Sequence, residues 1–309
     1  MDRPEASDGM TTRRLLLSVA GAGALATTGA LARAGAPAGF TGRAHRRQLS
    51  TVDQPRRFGA VVAAAADPTA AVAEARWQQR VSALTAALAA EPVDLAVAAL
   101  DRRTGRAYGY AGTKQFRTAS IVKVDILATL LHEASREGRS LSTSEQRLAA
   151  AMIRHSDNDA ASTLWRRTGG IAATTQVFGL TSTRQGADGD WGETSTTAED
   201  QLRLLAHLAD PRGAVPNGAY VLDLMATVAD DQNWGVSAAA AAGERTALKN
   251  GWYPTSDGWI LNSVGRINGA ATDLLIAVLS RGHRSYTPGI RAVEGIAART
   301  RAVVGGEDP

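Results

Sequence analysis

The 309-residue sequence predicts an α+β fold: an antiparallel sheet built from both termini of the chain, with a central helical insertion. Three observations predict it. Strand patterns cluster before Ala111 and again after Arg245, helical periodicity fills the stretch between them, and no regular alternation of strand and helix marks a βαβ array.

The elements follow in order. Arg13-Arg14 precede an Ala/Gly-rich apolar run from Leu15 to about Leu31, and Ala30-Leu31-Ala32 fits a small-residue cleavage site. Residues 1–32 therefore read as a signal peptide of twin-arginine type, with Met1 or Met10 as the start. Residues 33–72 are rich in Ala, Gly, Pro and Arg and read as a flexible basic linker. The folded domain is expected over residues 73–309.

Trp77, Val81, Leu84 and Leu88 recur at helical spacing, and Pro92 closes that helix. The run 94–100 reads as a buried strand, 101–105 as a polar turn ending in glycine, and 107–110 as the returning strand. Residues 119–136 form a strongly apolar helix that Gly138 ends. Helical signals continue from Ser144 to about Asp210, and a further helix is expected over 219–227. Strands at 246–249, 258–264 and 274–279 follow, and a helix over 290–304 closes the chain.

Bulk composition sets limits. With no cysteine, disulfides, thiolate chemistry, cysteine-ligated zinc and a cysteine-borne lipid are all excluded for this sequence. The formal charge of +4 comes almost wholly from arginine, since lysine is scarce. No aromatic-interleaved basic patch accompanies that charge, so it reads as a solvated surface and nucleic acid is not an expected partner. No cofactor is implied. His132-Glu133 begins a zinc-protease pattern that fails at Arg136, the five histidines lack ligand spacing, and there is no G-x-S-x-G elbow or P-loop. No stable membrane span is expected once the leader is removed, and the chain is expected to be a monomer that is secreted or associated with the cell wall.

Three polar motifs carry the chemistry: Ser120-Ile121-Val122-Lys123, then Ser156-Asp157-Asn158, then Lys249-Asn250-Gly251. Ser120 and Lys123 lie on one helix face, one turn apart, where a partly desolvated amine can serve as base to a serine nucleophile. Ser156 is a candidate proton relay, Asn158 a candidate partner for a substrate amide, and Lys249 a second cation. Gly251 ends a predicted strand where a ligand can approach the backbone, and the Trp252 N–H can pair with that of Ser120 as an oxyanion hole. Each motif taken singly also fits an ordinary use: a capping serine with a solvated lysine, a helix-ending turn, and an Asn-Gly hairpin turn.

Taken together and in this order, the motifs resemble those of class A β-lactamases and penicillin-binding proteins. Ala150 to Trp165 is similar to that family's helical segment around S-D-N, and the resemblance runs from about Trp77 to Val304. It implies a β-lactamase/transpeptidase-like fold and an acyl-Ser120 intermediate formed with β-lactams or related amides and esters. In it Lys123 is the base, Ser156 the relay, and Asn158, Lys249, Asn250, Gly251 and Trp252 hold substrate. Two departures matter. Asn250 stands where the family has threonine or serine, and the loop before Thr197 lacks the family's E-x-x-L-N string, whose glutamate activates the deacylating water. Asp188, Asp190 and Glu193 are the candidate substitutes for it. The resemblance thus leaves three readings: a β-lactamase-like hydrolase with slow deacylation, a D,D-peptidase acting on cell-wall stem peptides, and a non-catalytic module binding cell-wall peptide. Arg245 and Arg266 are the candidate arginines for a substrate carboxylate, and Trp252 and Trp259 are the tryptophans expected near the site.

Overall fold

The computed structural model of the chain describes residues 68–187 and 190–305. The expected leader, the linker up to residue 67, and Asp188 lie outside the described residues.

Helix α1 spans Pro68–Ala89. It starts before Ala73, the expected domain boundary, because proline suits a first helical position and the alanine-rich run after it favours helix. A hairpin follows, β1 (Asp94–Asp101) and β2 (Ala107–Tyr110). Its turn is held by the Asp101 carboxylate, which accepts from the Arg103 N–H at 2.9 Å and the Thr104 hydroxyl at 2.7 Å. The short β3 (Phe116–Arg117) leads into a 3₁₀ turn, Ala119–Ile121, and then α2 (Val122–Arg136).

Every residue of α2 from Val122 to Leu131 is buried, so this helix is the axis of the helical half. Around it pack α3 (Thr143–Arg154), α4 (Asn158–Thr168), α5 (Ala172–Thr175), α6 (Ala198–Ala209) and α7 (Gly218–Met225). Helix α3 opens on a reciprocal cap, in which Ser142 accepts from the Glu145 N–H while Glu145 accepts from the Ser142 N–H. The predicted helical run to Asp210 is broken. Between α5 and α6 the described residues hold no α-helix, only a 3₁₀ turn at Trp191–Glu193 and the short β4 (Ser195–Thr196), which pairs with β3. Buried Asp200 holds the start of this loop by accepting from the Ser182 N–H and the Thr183 hydroxyl, both at 2.8 Å.

The chain then returns to the sheet as β5 (Arg245–Thr255), β6 (Gly258–Asn268) and β7 (Asp273–Arg281), and closes with α8 (Tyr286–Val304). The order is β2-β1-β7-β6-β5, with every neighbouring pair antiparallel. Both termini therefore build the sheet. Side-chain alternation on β1 divides its two faces: Ala96 and Ala98 meet the helical half, while Leu95, Val97 and Ala99 meet α1 and α8. Strand β5 is longer than predicted. Lys249-Asn250-Gly251 lies in its interior, opposite Val264, Ser263 and Asn262, and the hairpin turn comes only at 255–258, where Gly258 takes φ +112°. A full ladder to β6 outweighs the local turn tendency of Asn-Gly.

Candidate active site

The site forms where the free edge of β5 meets the turn before α2 and the loop between α3 and α4. Ser120 lies in the 3₁₀ turn and is half-buried, and its hydroxyl has no hydrogen-bond partner among the described residues. The residue before it, Ala119, has φ +49°, and Ser156 has φ +55°. Non-glycine residues hold this left-handed conformation at a cost of about 1–3 kcal/mol each, and only where their surroundings over-determine it. Two of the four such residues among those described are therefore at this site.

Lys123 is fully buried. Its Nζ donates to the Ser156 carbonyl at 2.5 Å, the Ser156 Oγ at 3.1 Å and the Asn158 Oδ1 at 2.8 Å. Lys249, also buried, reaches the same Ser156 Oγ at 3.0 Å and its neighbour's carbonyl, Asn250 O, at 3.0 Å. The chain has only three lysines, and these are two of them. Neither makes an ion pair among the described residues. Burial pushes the Lys123 amine down from 10.5 to about 7, against the opposing charge of Asp157. Lys249 is held well below its ordinary value by burial first and by the charge of Lys123 second, with Asp231 opposing. The site thus holds an amine that burial brings down to about 7, joined by a single hydroxyl to a second lowered one.

The Ser156-Asp157-Asn158 stretch combines two uses. Asp157 caps α4, accepting from the Ala160 N–H at 2.7 Å, which is its ordinary structural use. Its neighbours face the lysines. Asn158 is exposed, and its Nδ2 has no protein acceptor among the described residues, so it is open to a ligand.

Alternation along β5 sorts the third motif. Lys249, Gly251 and Tyr253 share the face that meets the turn, and Asn250 and Trp252 share the other. A side chain at Gly251 would place Cβ 2.6 Å from Thr118 O and 2.7 Å from Ser120 N, so glycine is required for the strand to lie against the nucleophile's backbone. Asn250 is a correction. It does not face a substrate: buried, it donates to Gln232 O at 2.8 Å and Trp234 O at 3.1 Å and props the loop before β5. The Trp252 indole is a second correction, packing against Trp234 and Tyr286 on the α8 side, with Trp259 also on Tyr286, so only the Trp252 backbone is offered to the cleft.

The tryptophan at the site is Trp191, which the sequence reading missed. Its ring lies over Lys123 Nζ, 4.7 Å from centroid to nitrogen, and its Nε1 donates to the Ser162 Oγ at 3.1 Å. The only signal for it was an aromatic residue inside the loop that lacks the family glutamate. The two candidate acids of that loop among the described residues are engaged elsewhere. Glu193 pairs with Arg117 at 2.8 Å and accepts from the Tyr253 hydroxyl at 2.9 Å. Burial is the chief cause that raises the Tyr253 phenol to about 12, so it stays a donor. Asp190 caps the 3₁₀ turn through the Gly192 N–H at 2.9 Å. Arg245 and Arg266 are occupied by Asp223 and Asp273.

Comparisons with known proteins bear on the family and the fold. Residues 139–304 match the Beta-lactamase2 model, the beta-lactamase enzyme family. That match begins after Ser120 and Lys123 in the chain. "Putative lipoprotein LppW" of Mycobacterium tuberculosis is 34% identical over 190 residues, which is 56% of this chain and 58% of that protein, so the chain spans well under two thirds of this relative. Among solved structures, PBP-A superposes with a TM-score of 0.61 at 17% identity, covering 73% of this chain and 94% of that one. A beta-lactamase from Sphaerobacter thermophilus DSM 20745 superposes at 0.62 with 18% identity over 75% and 99% of the two chains. At these identities the structural matches establish the β-lactamase/transpeptidase-like α+β fold and nothing finer.

Proposed function

The chain belongs to the beta-lactamase enzyme family, and from that premise we propose that it is a serine acyl-transfer enzyme whose acyl-Ser120 intermediate is long-lived. The observation that carries this reading is the pair of buried lysines sharing the Ser156 hydroxyl with no carboxylate between them.

In this reading Ser120 Oγ attacks the carbonyl carbon of a β-lactam or related amide or ester. Its proton passes to the neutral Lys123 amine. The negative charge that develops on the carbonyl oxygen is met by the backbone N–H groups of Ser120 and Trp252. As the C–N bond breaks, Ser156 Oγ gives its proton to the leaving nitrogen and is reprotonated from the lysines it bridges. Asn158 Nδ2 and the Lys249 amine hold the substrate.

Hydrolysis of the ester then needs a water molecule and a base. Trp191 covers the Lys123 amine, and the described acids of the loop are spent on Arg117, Tyr253 and Gly192. This supports slow deacylation, and it favours a D,D-peptidase acting on cell-wall stem peptides as the second reading, since that activity needs the same three motifs. An acyl-enzyme complex of a PBP-A point mutant with penicillin G is among the solved structures of this fold. The paired arginines at 13 and 14 support export by the twin-arginine route, and the mycobacterial relative's name points to the cell envelope for that protein.

Intact-mass spectrometry after penicillin exposure tests the proposal. The expected result is one persistent adduct that Ser120→Ala abolishes. An unlabelled wild-type chain removes the reading, and saturable peptide binding that survives Ser120→Ala without turnover of any ester replaces it with the non-catalytic one. Hydrolysis of nitrocefin against that of a D-Ala-D-Ala peptide separates the two enzymes.

A further inference from the structure

Ser120 is held by a turn whose geometry is costly, and what holds the turn lies on the neighbouring strand. Asn262 on β6 is fully buried, one of two adjacent buried polar residues of that strand with Ser263. Its Nδ2 donates to both Arg117 O at 2.9 Å and Thr118 O at 3.0 Å. Its Oδ1 accepts from the Ser280 N–H on β7 at 3.1 Å, so both ends of the amide are partnered. The two carbonyls immediately precede Ala119, the residue at φ +49°, which in turn precedes Ser120.

The register explains how one side chain reaches both carbonyls. Asn262 stands directly opposite Gly251 in the β5–β6 ladder, so their side-chain directions share a face. Gly251 leaves open the volume into which the turn's backbone fits, with Thr118 O, Ser120 N and Ile121 N all within 2.8 Å of where a Cβ would be. Glycine admits the turn and asparagine fastens it. Without the amide, Arg117 O loses this donor, Thr118 O is left with the Ile121 N–H at 3.3 Å, and the left-handed residue loses part of what over-determines it.

We propose that Asn262 is a positioning residue for acylation, fixing the Thr118–Ser120 backbone so that the Ser120 hydroxyl and N–H keep their places against β5. The amide touches neither substrate nor the Ser120 side chain, so its effect falls on the chemical step rather than on binding. This rests on the acyl-serine reading for its kinetic consequence, and on backbone geometry alone for its structural one.

The test compares Asn262→Asp and Asn262→Leu with the wild-type chain. The aspartate keeps the acceptor for Ser280 but offers no donor to the carbonyls; the leucine removes both. Stopped-flow labelling with a chromogenic cephalosporin separates the initial binding constant from the acylation rate constant. Expected is a fall in the acylation rate constant of about 100-fold, the scale for roughly 1 Å of misplacement, with the binding constant within about threefold of wild type. Hydrogen exchange of residues 117–122, read without substrate, is expected to rise in both variants while β7 and α8 remain protected. A folded variant that acylates at the wild-type rate, or that leaves exchange in 117–122 unchanged, overturns the proposal. If the wild-type chain forms no adduct the acyl-serine reading fails, and the exchange experiment still decides the role of Asn262. If neither variant folds, exchange in the wild-type chain decides: an Ile121 amide, which donates to Thr118 O, as slow as those of β6 supports the anchor, and loop-like exchange there refutes it.

Discussion

Lys123 and Lys249 donate to one and the same oxygen, the Ser156 Oγ, from 3.1 and 3.0 Å. Two amines cannot both carry full charge around one hydroxyl inside a protein without a counter-ion. In the proposed reading Lys123, which burial brings down to about 7, is the base, and the hydroxyl between the two amines relays a proton.

The acylation rate constant is accordingly expected to rise with pH to a plateau, with its midpoint near the value of about 7 to which burial brings Lys123. Below that midpoint the amine is protonated and cannot take the Ser120 proton. Lys123→Ala should lower the rate constant by about 10²–10⁴ and flatten the profile. Lys123→Arg should not restore it, since a guanidinium stays charged. A midpoint unchanged in Lys123→Ala would show that another group is the base.

Trp191 is expected to control both water access and this midpoint. Trp191→Ala removes the ring at 4.7 Å from Nζ and rehydrates the amine; loss of the cation–π contact lowers the midpoint and relief of desolvation raises it, and the expected net shift is upward because burial is the first cause of the depressed value. The same change should shorten the lifetime of the penicillin adduct, measured by mass spectrometry over time. Trp191→Phe keeps a ring over the amine and should stay near wild type in both measurements.

Gly251→Ala is expected to be severe for so small a change. The added Cβ would sit 2.7 Å from Ser120 N and 2.6 Å from Thr118 O, both backbone atoms that cannot step aside cheaply. Overpacking of this kind costs about 1–3 kcal/mol, and the displaced turn should lose about 100-fold in acylation. Thermal melts and labelling rates on one preparation separate the two effects.

Asp125 supplies a pH effect on stability. It is buried, its Oδ1 has no partner in the structure, and burial pushes its carboxyl up from 3.8 to about 7. A group whose folded value is raised stabilises fully below its unfolded value, and that stability is lost as pH rises through the folded value. Lys123 acts in the opposite sense. Its folded value is depressed, so stability recovers as pH rises from about 7 toward 10.5. Urea unfolding at pH 4, 7 and 9 should therefore show a minimum near neutrality. Asp125→Asn should abolish the fall between pH 4 and 7, a matter of a few kcal/mol, and leave the alkaline recovery in place. Equal pH dependence in the two chains would contradict this.

Much of the molecule was written in local pattern. The hairpin at 94–110, the apolar helix after Ser120, the three C-terminal strands and the closing helix follow from periodicity and turn chemistry, because each depends on residues close in sequence. The residues proposed for the site, Ser120, Lys123, Ser156, Asn158 and Lys249, could be named for the same reason: short motifs carry them. What the sequence could not specify was direction. Whether Asn250 faces a ligand or the loop carbonyls of Gln232 and Trp234 depends on the phase of β5 against β6, which is set by the whole ladder. That Trp191 rather than an acid covers Lys123, and that Asn262 fastens the turn before Ser120 from 144 residues away, depends on packing between segments that are remote in the chain. Local pattern determines which residues form an element. Only tertiary packing decides which of their side chains meet, because burial and hydrogen-bond satisfaction are settled by the neighbours that the fold brings in.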